Sequence, residues 1–250
     1  MKKIIKNLMR SVGFEIVSLR GIDGLRAIES DINDLFDLTA RAYGIDKLSK
    51  SQLKQDIFVL LETGFKRNGF FVEFGATNGI DLSNTYLLEK RFGWNGILAE
   101  PATCWHEELK KNRTASIEID CVWVESGKSL NFNMVSDAEL STINKFNDRD
   151  HHANLRQQGT NYQVKTISLL DLLVKYNAPK NIDFLSIDTE GSEFDILSAF
   201  DFDQYTISII TCEHNFTHDR QKIYELLTSK GYQRKFHGVS RWDDWYVRAD

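Results

Sequence analysis

Proline and cysteine are scarce in this chain. Two prolines in 250 residues, Pro101 and Pro179, exclude a proline-rich linker or a low-complexity segment. Three cysteines, Cys104, Cys121 and Cys212, form no C-x-x-C pair. That argues against a thioredoxin-like redox motif or a disulfide-stapled scaffold and leads us to expect a reduced, cytoplasmic protein with unbridged thiols. No apolar run approaches the roughly 18 residues that a membrane span requires. Positive charge is short as well: the net charge of −5 supplies no field for a phosphate backbone, so no nucleic-acid partner is expected. Lys2, Lys3 and Lys6 lead into no apolar core with a cleavage site, so no secretion signal is expected. What is there is ordinary: 42% hydrophobic and 27% charged residues suit one α/β domain with additional elements.

The chain is organised around Phe70 to Pro101. Phe70, Phe71, Val72 and Phe74 form a short apolar run, as expected of a strand buried on both faces of a parallel sheet. Gly75-Ala76-Thr77-Asn78-Gly79 breaks it with a turn that can take positive φ and admit a ligand close to the backbone. A helix is expected from Leu82, with Tyr86, Leu87 and Phe92 at helical spacing, a stop at Gly93, and N–H groups at its start that attract an anion. Gly96 to Ala99 is the next strand, ending at Glu100 and Pro101. Glu100 follows Gly79 by 21 residues, near the interval at which doubly wound folds set an acid on a ribose diol.

A dinucleotide site would use G-x-G-x-x-G, whereas Gly75 and Gly79 make G-x-x-x-G and lack the glycine that admits a pyrophosphate. A ligand with a ribose, a carboxylate and no phosphate fits better. S-adenosylmethionine has these parts, with its carboxylate on the turn and helix start and its ribose on Glu100. The candidate contacts are Glu73, Gly75, Ala76, Asn78, Gly79, Glu100 and Pro101. The plainer alternative is a tight turn and a strand-end acid with no ligand role.

FVEFGATNG, GILAEP and the later FLSIDTEGSEFDIL resemble the motifs of the FkbM family of S-adenosylmethionine-dependent methyltransferases, from about Ser51 to Val247. The most specific part is Asp188-Thr189-Glu190-Gly191-Ser192-Glu193. One departure is Ser186, where many members of the family carry a lysine. The resemblance implies a doubly wound, Rossmann-like methyltransferase fold: a mostly parallel seven-stranded sheet finished antiparallel by Tyr232–Phe236 and Trp245–Val247. It also implies O-methylation, of a sugar hydroxyl in a glycan or glycoconjugate precursor or of a polyketide-like small-molecule hydroxyl.

We expect residues 1–50 to be a helical extension and 51–250 the methyltransferase domain. Lys2 to Val17 reads as a basic amphipathic helix, suited to docking at an anionic membrane surface or to packing on its own domain. A second helix is expected over Asp31 to Tyr43, and a third capped by Ser51, with Gln55 and Asp56 as anchors. Ser116 to Ile119 reads as a strand ending at Asp120, a candidate for the adenine amine, with Cys121 and Val122 against the ring. Cys121–Val124 and Leu130–Met134 suggest a hairpin. Ser136 to Val164 is polar and irregular; within it Asp150, His151 and Arg156 are candidates for acceptor recognition, as is Trp242 further on.

Ser168 and Asp171 form a capping box before a helix. The strand Ile182 to Ile187 presents Asp188 on the ligand rim, Glu190 and Glu193 open the next helix, and Ile207 to Cys212 delivers Glu213 and His214. Methyl transfer to a hydroxyl needs a proton acceptor within hydrogen-bond reach. The candidates are His214, Asp188, Glu190 and Glu213, with His214 favoured by its ordinary pKa. Asp188, Glu213 and His214 could instead hold magnesium to acidify the hydroxyl. A nicotinamide oxidoreductase and a non-catalytic scaffold docking through Lys2–Val17 are the rival readings.

Overall fold

The structure, a computed structural model, describes residues 32–41, 43–135, 141–143, 145 and 159–249. The basic segment Lys2–Val17 and the candidates Asp150, His151 and Arg156 lie outside the described residues. Among the described residues no helix is long and apolar enough to cross a membrane.

A helix, α1, covers 32–41. There follow α2 (Gln55–Glu62), β1 (Phe70–Phe74), α3 (Tyr86–Phe92), β2 (Asn95–Ala99), α4 (His106–Asn112), β3 (Ser116–Glu118), β4 (Cys121–Trp123), β5 (Ser129–Met134) and β6 (Thr142–Ile143). The chain continues with β7 (Thr160–Ser168), α5 (Leu169–Lys175), β8 (Asn181–Ile187), α6 (Glu193–Ala199), β9 (Thr206–Glu213), α7 (Asp219–Ser229), β10 (Tyr232–Lys235) and β11 (Asp243–Arg248). Seven strands form one sheet in the order β10-β11-β9-β8-β1-β2-β3. The pairings β9–β8, β8–β1, β1–β2 and β2–β3 are parallel, and β11 runs antiparallel to both β9 and β10. The expected mostly parallel sheet is therefore a mixed one, with its antiparallel part at one edge.

Helices cover both faces, which is why the central strands are apolar throughout. Alternation sends Val72, Ile97, Leu185 and Ile210 to one layer with Leu172 of α5, Leu197 of α6 and Leu227 of α7. It sends Phe71, Leu98, Phe184 and Ile209 to the other, with Ile57 of α2, Leu88 of α3 and Leu109 of α4. Each such side chain contributes on the order of 1.5–3 kcal/mol by leaving water. Phe36 of α1 joins the second layer, its ring 6.0 Å from Trp245 and 5.8 Å from Phe236.

Two local expectations change. Ser51 is not the cap of α2: Lys54 is, with φ 68°, and Ser51 Oγ instead accepts the N–H of Gln55 at 2.9 Å. The hairpin of β4 with β5 does not form, because β7 lies between them, parallel to β4 and antiparallel to β5, in a small sheet ordered β4-β7-β5-β6. The turn between β4 and β5 is tied to β7 instead, through Lys128 N–H on Thr166 Oγ1 and Thr166 Oγ1 on the Glu125 carbonyl. The Ser168 cap on α5 forms as expected, its Oγ accepting Asp171 N–H at 3.1 Å.

Candidate active site

A cavity of about 470 Å³ opens beyond the carboxyl ends of β1, β2, β8 and β9, where open α/β sheets bind their ligands. Gly75 ends β1 at φ 74°, and a Cβ there would stand 2.3 Å from the Asp188 carbonyl oxygen. Only glycine lets the loops after β1 and β8 approach this closely.

The turn after Gly75 is satisfied from within the protein. Gly75 N–H donates to the Ala99 carbonyl, Thr77 N–H to Glu100 Oε2 at 2.8 Å, and Gly79 N–H to the Ala76 carbonyl. Asn78 Oδ1 takes the N–H groups of Ile80 and Asp81, both at 2.9 Å. The helix start is likewise occupied: Glu73 accepts from Asn84 N–H at 2.6 Å, Ser83 Oγ at 3.0 Å and Thr85 Oγ1. Arg113, with no exposed side chain, lies 3.7 Å from Glu73 and 2.7 Å from Glu89 and donates to the Gly79 carbonyl. The anion expected at the start of α3 is thus the protein's own. Glu73 borders the cavity with its carboxylate held in this network, whereas Ala76, Asn78 and Gly79 build the turn without lining the cavity.

Gly75, Thr77, Glu100 and Pro101 do line it. Each oxygen of Glu100 receives one backbone N–H, from Thr77 at 2.8 Å and from Ala102 at 2.7 Å. Burial pushes the Glu100 carboxyl up to about 7 despite these bonds, with Asp188 adding in the same direction. A carboxylate keeps lone pairs after one bond per oxygen, so Glu100 can still accept from two hydroxyls. A wall holding Glu100 and Asp188 also suits a cation. Both properties fit a ribose-bearing sulfonium. Cys121 and Val122 supply an apolar wall, and burial pushes the Cys121 thiol up to about 12, so it packs as a neutral group. Asp120 does not line the cavity; its N–H and that of Ile119 turn back onto Glu118 Oε1.

On the opposite side Asp188, Glu190 and Glu213 offer oxygens within 4.8 Å of one another, a spacing at which carboxylates share either protons or a cation. Burial raises Glu213 well above the usual carboxylate range, and Asp188 and Glu190 reinforce the shift. Glu193 is an anchor: its Oε1 accepts the N–H groups of Thr189 and Gly191 and the Thr189 hydroxyl, fixing the loop that carries Asp188 and Glu190.

His214, the favoured base on sequence grounds, is not in the cavity. Successive residues of a strand point to opposite faces, so Glu213 turns in and His214 turns away. Its Nδ1 accepts Phe216 N–H at 3.0 Å, its Nε2 lies 3.8 Å from Asp244 Oδ1, and burial pushes its pKa down to about 4. It is a neutral anchor for the loop that follows. Asp244 is held by Arg220 at 3.0 and 2.8 Å and by Arg234 at 3.1 Å.

Trp242 lines the cavity, and its carbonyl accepts the N–H groups of His214 and Asn215. Sequence reasoning missed Thr77, Leu82, Asn215 and Phe216 as wall residues. All four have positive φ, between 42° and 59°, as has Glu190 at 57°. Each costs on the order of 1–3 kcal/mol, and such residues gather at functional sites. No pattern of residue types announces them. Phe216 is 62% exposed although large and apolar.

The chain's residues 73–234 match the Methyltransferase FkbM domain. No curated protein matches the chain. Among solved structures it is similar to the O-methyltransferase from Bacillus cereus in complex with SAH (13% identity, 98% of this chain and 97% of that one, TM-score 0.40). It is also similar to a precorrin-6y C5,15-methyltransferase from Geobacter metallireducens (11% identity, 80% and 88%, TM-score 0.41) and to a human methyltransferase 10 domain containing protein (13% identity, 92% and 98%, TM-score 0.38). With the match spanning both the Glu100 wall and the Asp188–Glu213 acids, the chain belongs to the FkbM family of S-adenosylmethionine-dependent methyltransferases.

Proposed function

We propose that the protein methylates a hydroxyl of a sugar in a glycan or glycoconjugate precursor. The observation that carries this reading is the division of one cavity between two sets of acids: Glu100 on the β2 side, and Asp188, Glu190 and Glu213 on the β8–β9 side. When bound, S-adenosylmethionine supplies a methyl group on a positively charged sulfur. Glu100 would accept from its ribose hydroxyls, Gly75 would leave the backbone open to it, and Pro101, Cys121 and Val122 would flank its base.

Glu213 would take the proton of the acceptor hydroxyl, with Asp188 and Glu190 raising its affinity for that proton. Phe132, Ile143 and Phe216 would keep water from the reacting groups. A sugar is supported by the mixed lining of the cavity, which includes the rings of Trp242 and Phe216 and the amides of Asn215 and Gln52. Ser141 and Ile143, which flank the segment carrying Asp150, His151 and Arg156, also line the cavity; this supports those three as acceptor contacts. Cytoplasmic residence, and docking of Lys2–Val17 on an anionic membrane, are separate proposals; co-sedimentation with anionic vesicles tests the docking.

The test is transfer of radiolabelled methyl from S-adenosylmethionine to a panel of glycans, glycoconjugate precursors and polyketide alcohols. Label on a sugar oxygen, lost in Glu213→Gln, supports the proposal. Label on polyketide alcohols alone overturns the sugar assignment. Full activity in EDTA supports the proton reading, whereas loss restored by magnesium assigns the three carboxylates to a cation.

A further inference from the structure

The loop that carries Glu100 and Pro101 leaves β2 at a proline, which has no N–H to give, and passes through a short 3₁₀ turn, Thr103–Trp105. Several of its bonds run within the loop itself. Ala102 N–H donates to Glu100 Oε1 at 2.7 Å, Trp105 N–H donates to the Ala102 carbonyl at 3.1 Å, and His106 Nε2 lies 2.9 Å from the Glu100 carbonyl. Such bonds fix the shape of the loop rather than its distance from the wall opposite.

Tyr162 on β7 supplies that distance. Its hydroxyl accepts Thr103 N–H at 3.1 Å and donates to the Pro101 carbonyl at 3.1 Å. A phenol has one O–H to donate, so the Pro101 carbonyl takes it. The two bonds straddle Ala102, whose N–H holds the Glu100 carboxylate. The ring beneath the hydroxyl is fixed in turn: Tyr162 is the ladder partner of Phe132 on β5, their ring centroids are 5.6 Å apart, and Phe132 lines the cavity. Ala102 itself packs in one apolar cluster with Cys121, Phe132, Ile143 and Val164 of the small sheet.

We infer that Tyr162 is a positioning residue for the methyl donor: its hydroxyl holds the loop after β2 where Ala102 N–H turns the Glu100 carboxylate to the donor's ribose. Tyr162 does not line the cavity, and it acts through Pro101, Thr103, Ala102 and Glu100. The small sheet thereby shapes two sides of one ligand. Cys121 and Val122 of β4 and Phe132 of β5 stand in the cavity wall, while β7 anchors the facing loop. Side chains that lock a binding group from behind set its precision, and a displacement of about 1 Å is enough to be felt. This role rests on the placement of the ribose on Glu100 and is independent of the acceptor.

Calorimetric titration of the full-length protein with S-adenosylhomocysteine and with methylthioadenosine, which keeps the ribose and base but lacks the carboxylate, tests the role. Tyr162→Phe keeps the ring against Phe132 and removes only the hydroxyl. It is expected to weaken both ligands by the same factor, about threefold or more. A smaller change in affinity overturns the inference, whatever happens to the thermal midpoint, because a merely structural tyrosine would move the midpoint alone. A loss confined to S-adenosylhomocysteine overturns it too, since that traces to the carboxylate end. If Tyr162→Phe does not fold, Thr103→Pro decides by the same criterion. It removes the N–H that Tyr162 receives, and Ala102, at ψ 112°, already has the extended conformation that a following proline requires. Glu100→Ala in the same titrations separates the two levels. Weakened binding there with Tyr162→Phe unchanged removes the role of Tyr162 alone, whereas unchanged binding in Glu100→Ala removes the ribose placement and this role with it.

Discussion

The N–H of Thr77 donates to Oε2 of Glu100 at 2.8 Å, so the turn after β1 and the acid closing β2 are joined to each other without any ligand. The donor-side wall is thereby built from two adjacent parallel strands and held rigid. Burial, which this bond only partly offsets, sets the ionisation behaviour of Glu100.

Glu100 must be ionised to favour a cationic donor, and its carboxyl is raised to about 7 by burial. Donor affinity should therefore rise as pH increases through about 7 in the native protein and be flat in Glu100→Gln. Glu100→Ala should weaken donor binding by about tenfold or more, from the loss of hydrogen bonds to a charged group. Calorimetric titration with S-adenosylmethionine at several pH values reads both effects.

Gly75→Ala should destabilise the fold by about 2 kcal/mol or more. The new Cβ meets the Asp188 carbonyl oxygen at 2.3 Å, and φ 74° is strained for alanine. Urea unfolding reads the loss, and donor binding should fall with it because Asp188 is displaced.

Arg113→Met should cost about 3–5 kcal/mol, because it strands Glu73 and Glu89 as buried acids without their cation. Its guanidinium is 2.7 Å from Glu89 and 3.7 Å from Glu73. Replacing Arg113 and Glu89 together with apolar residues should recover part of the loss in the same denaturant experiment.

Stability should fall as pH rises from about 4 to about 8, between the ordinary carboxylate range and the raised folded values. Burial raises Asp56 and Glu100 to about 7 and Asp243 to about 8. Over this range the folded chain binds more protons than the unfolded one, so each group contributes stability at low pH that is lost as pH passes its folded value. His214, lowered to about 4, acts oppositely, with stability gained between about pH 4 and about pH 6.5 and nothing above it. Thermal midpoints across pH check the sign, and Asp243→Asn should flatten the upper part of the slope.

The central strands were legible because parallel strands covered on both faces are apolar throughout; Phe70–Phe74 and Ile182–Ile187 could hardly be anything else. Glycines and acids at their ends located the rim, and Asp188, Glu100 and Glu213 do stand around one cavity. β7 was hidden because Val164, Thr166 and their neighbours alternate within a polar stretch, and a strand with one exposed face offers only that weak period. His214 was misjudged because its pKa outweighed the two-residue period that turns it from the cavity. The turn amides were taken as ligand donors, whereas Asn78 and Glu100 supply their acceptors. Side-chain to backbone bonds of this kind depend on tertiary approach, which residue types do not reveal.

The most direct measurement is a crystal structure of the protein with S-adenosylhomocysteine. The account predicts the ligand in the cavity between Gly75 and Glu213, its ribose hydroxyls on the Glu100 carboxylate and the bond from Thr77 to Glu100 intact. A ligand bound elsewhere, or a Glu100 carboxylate turned away from the ribose, would contradict it.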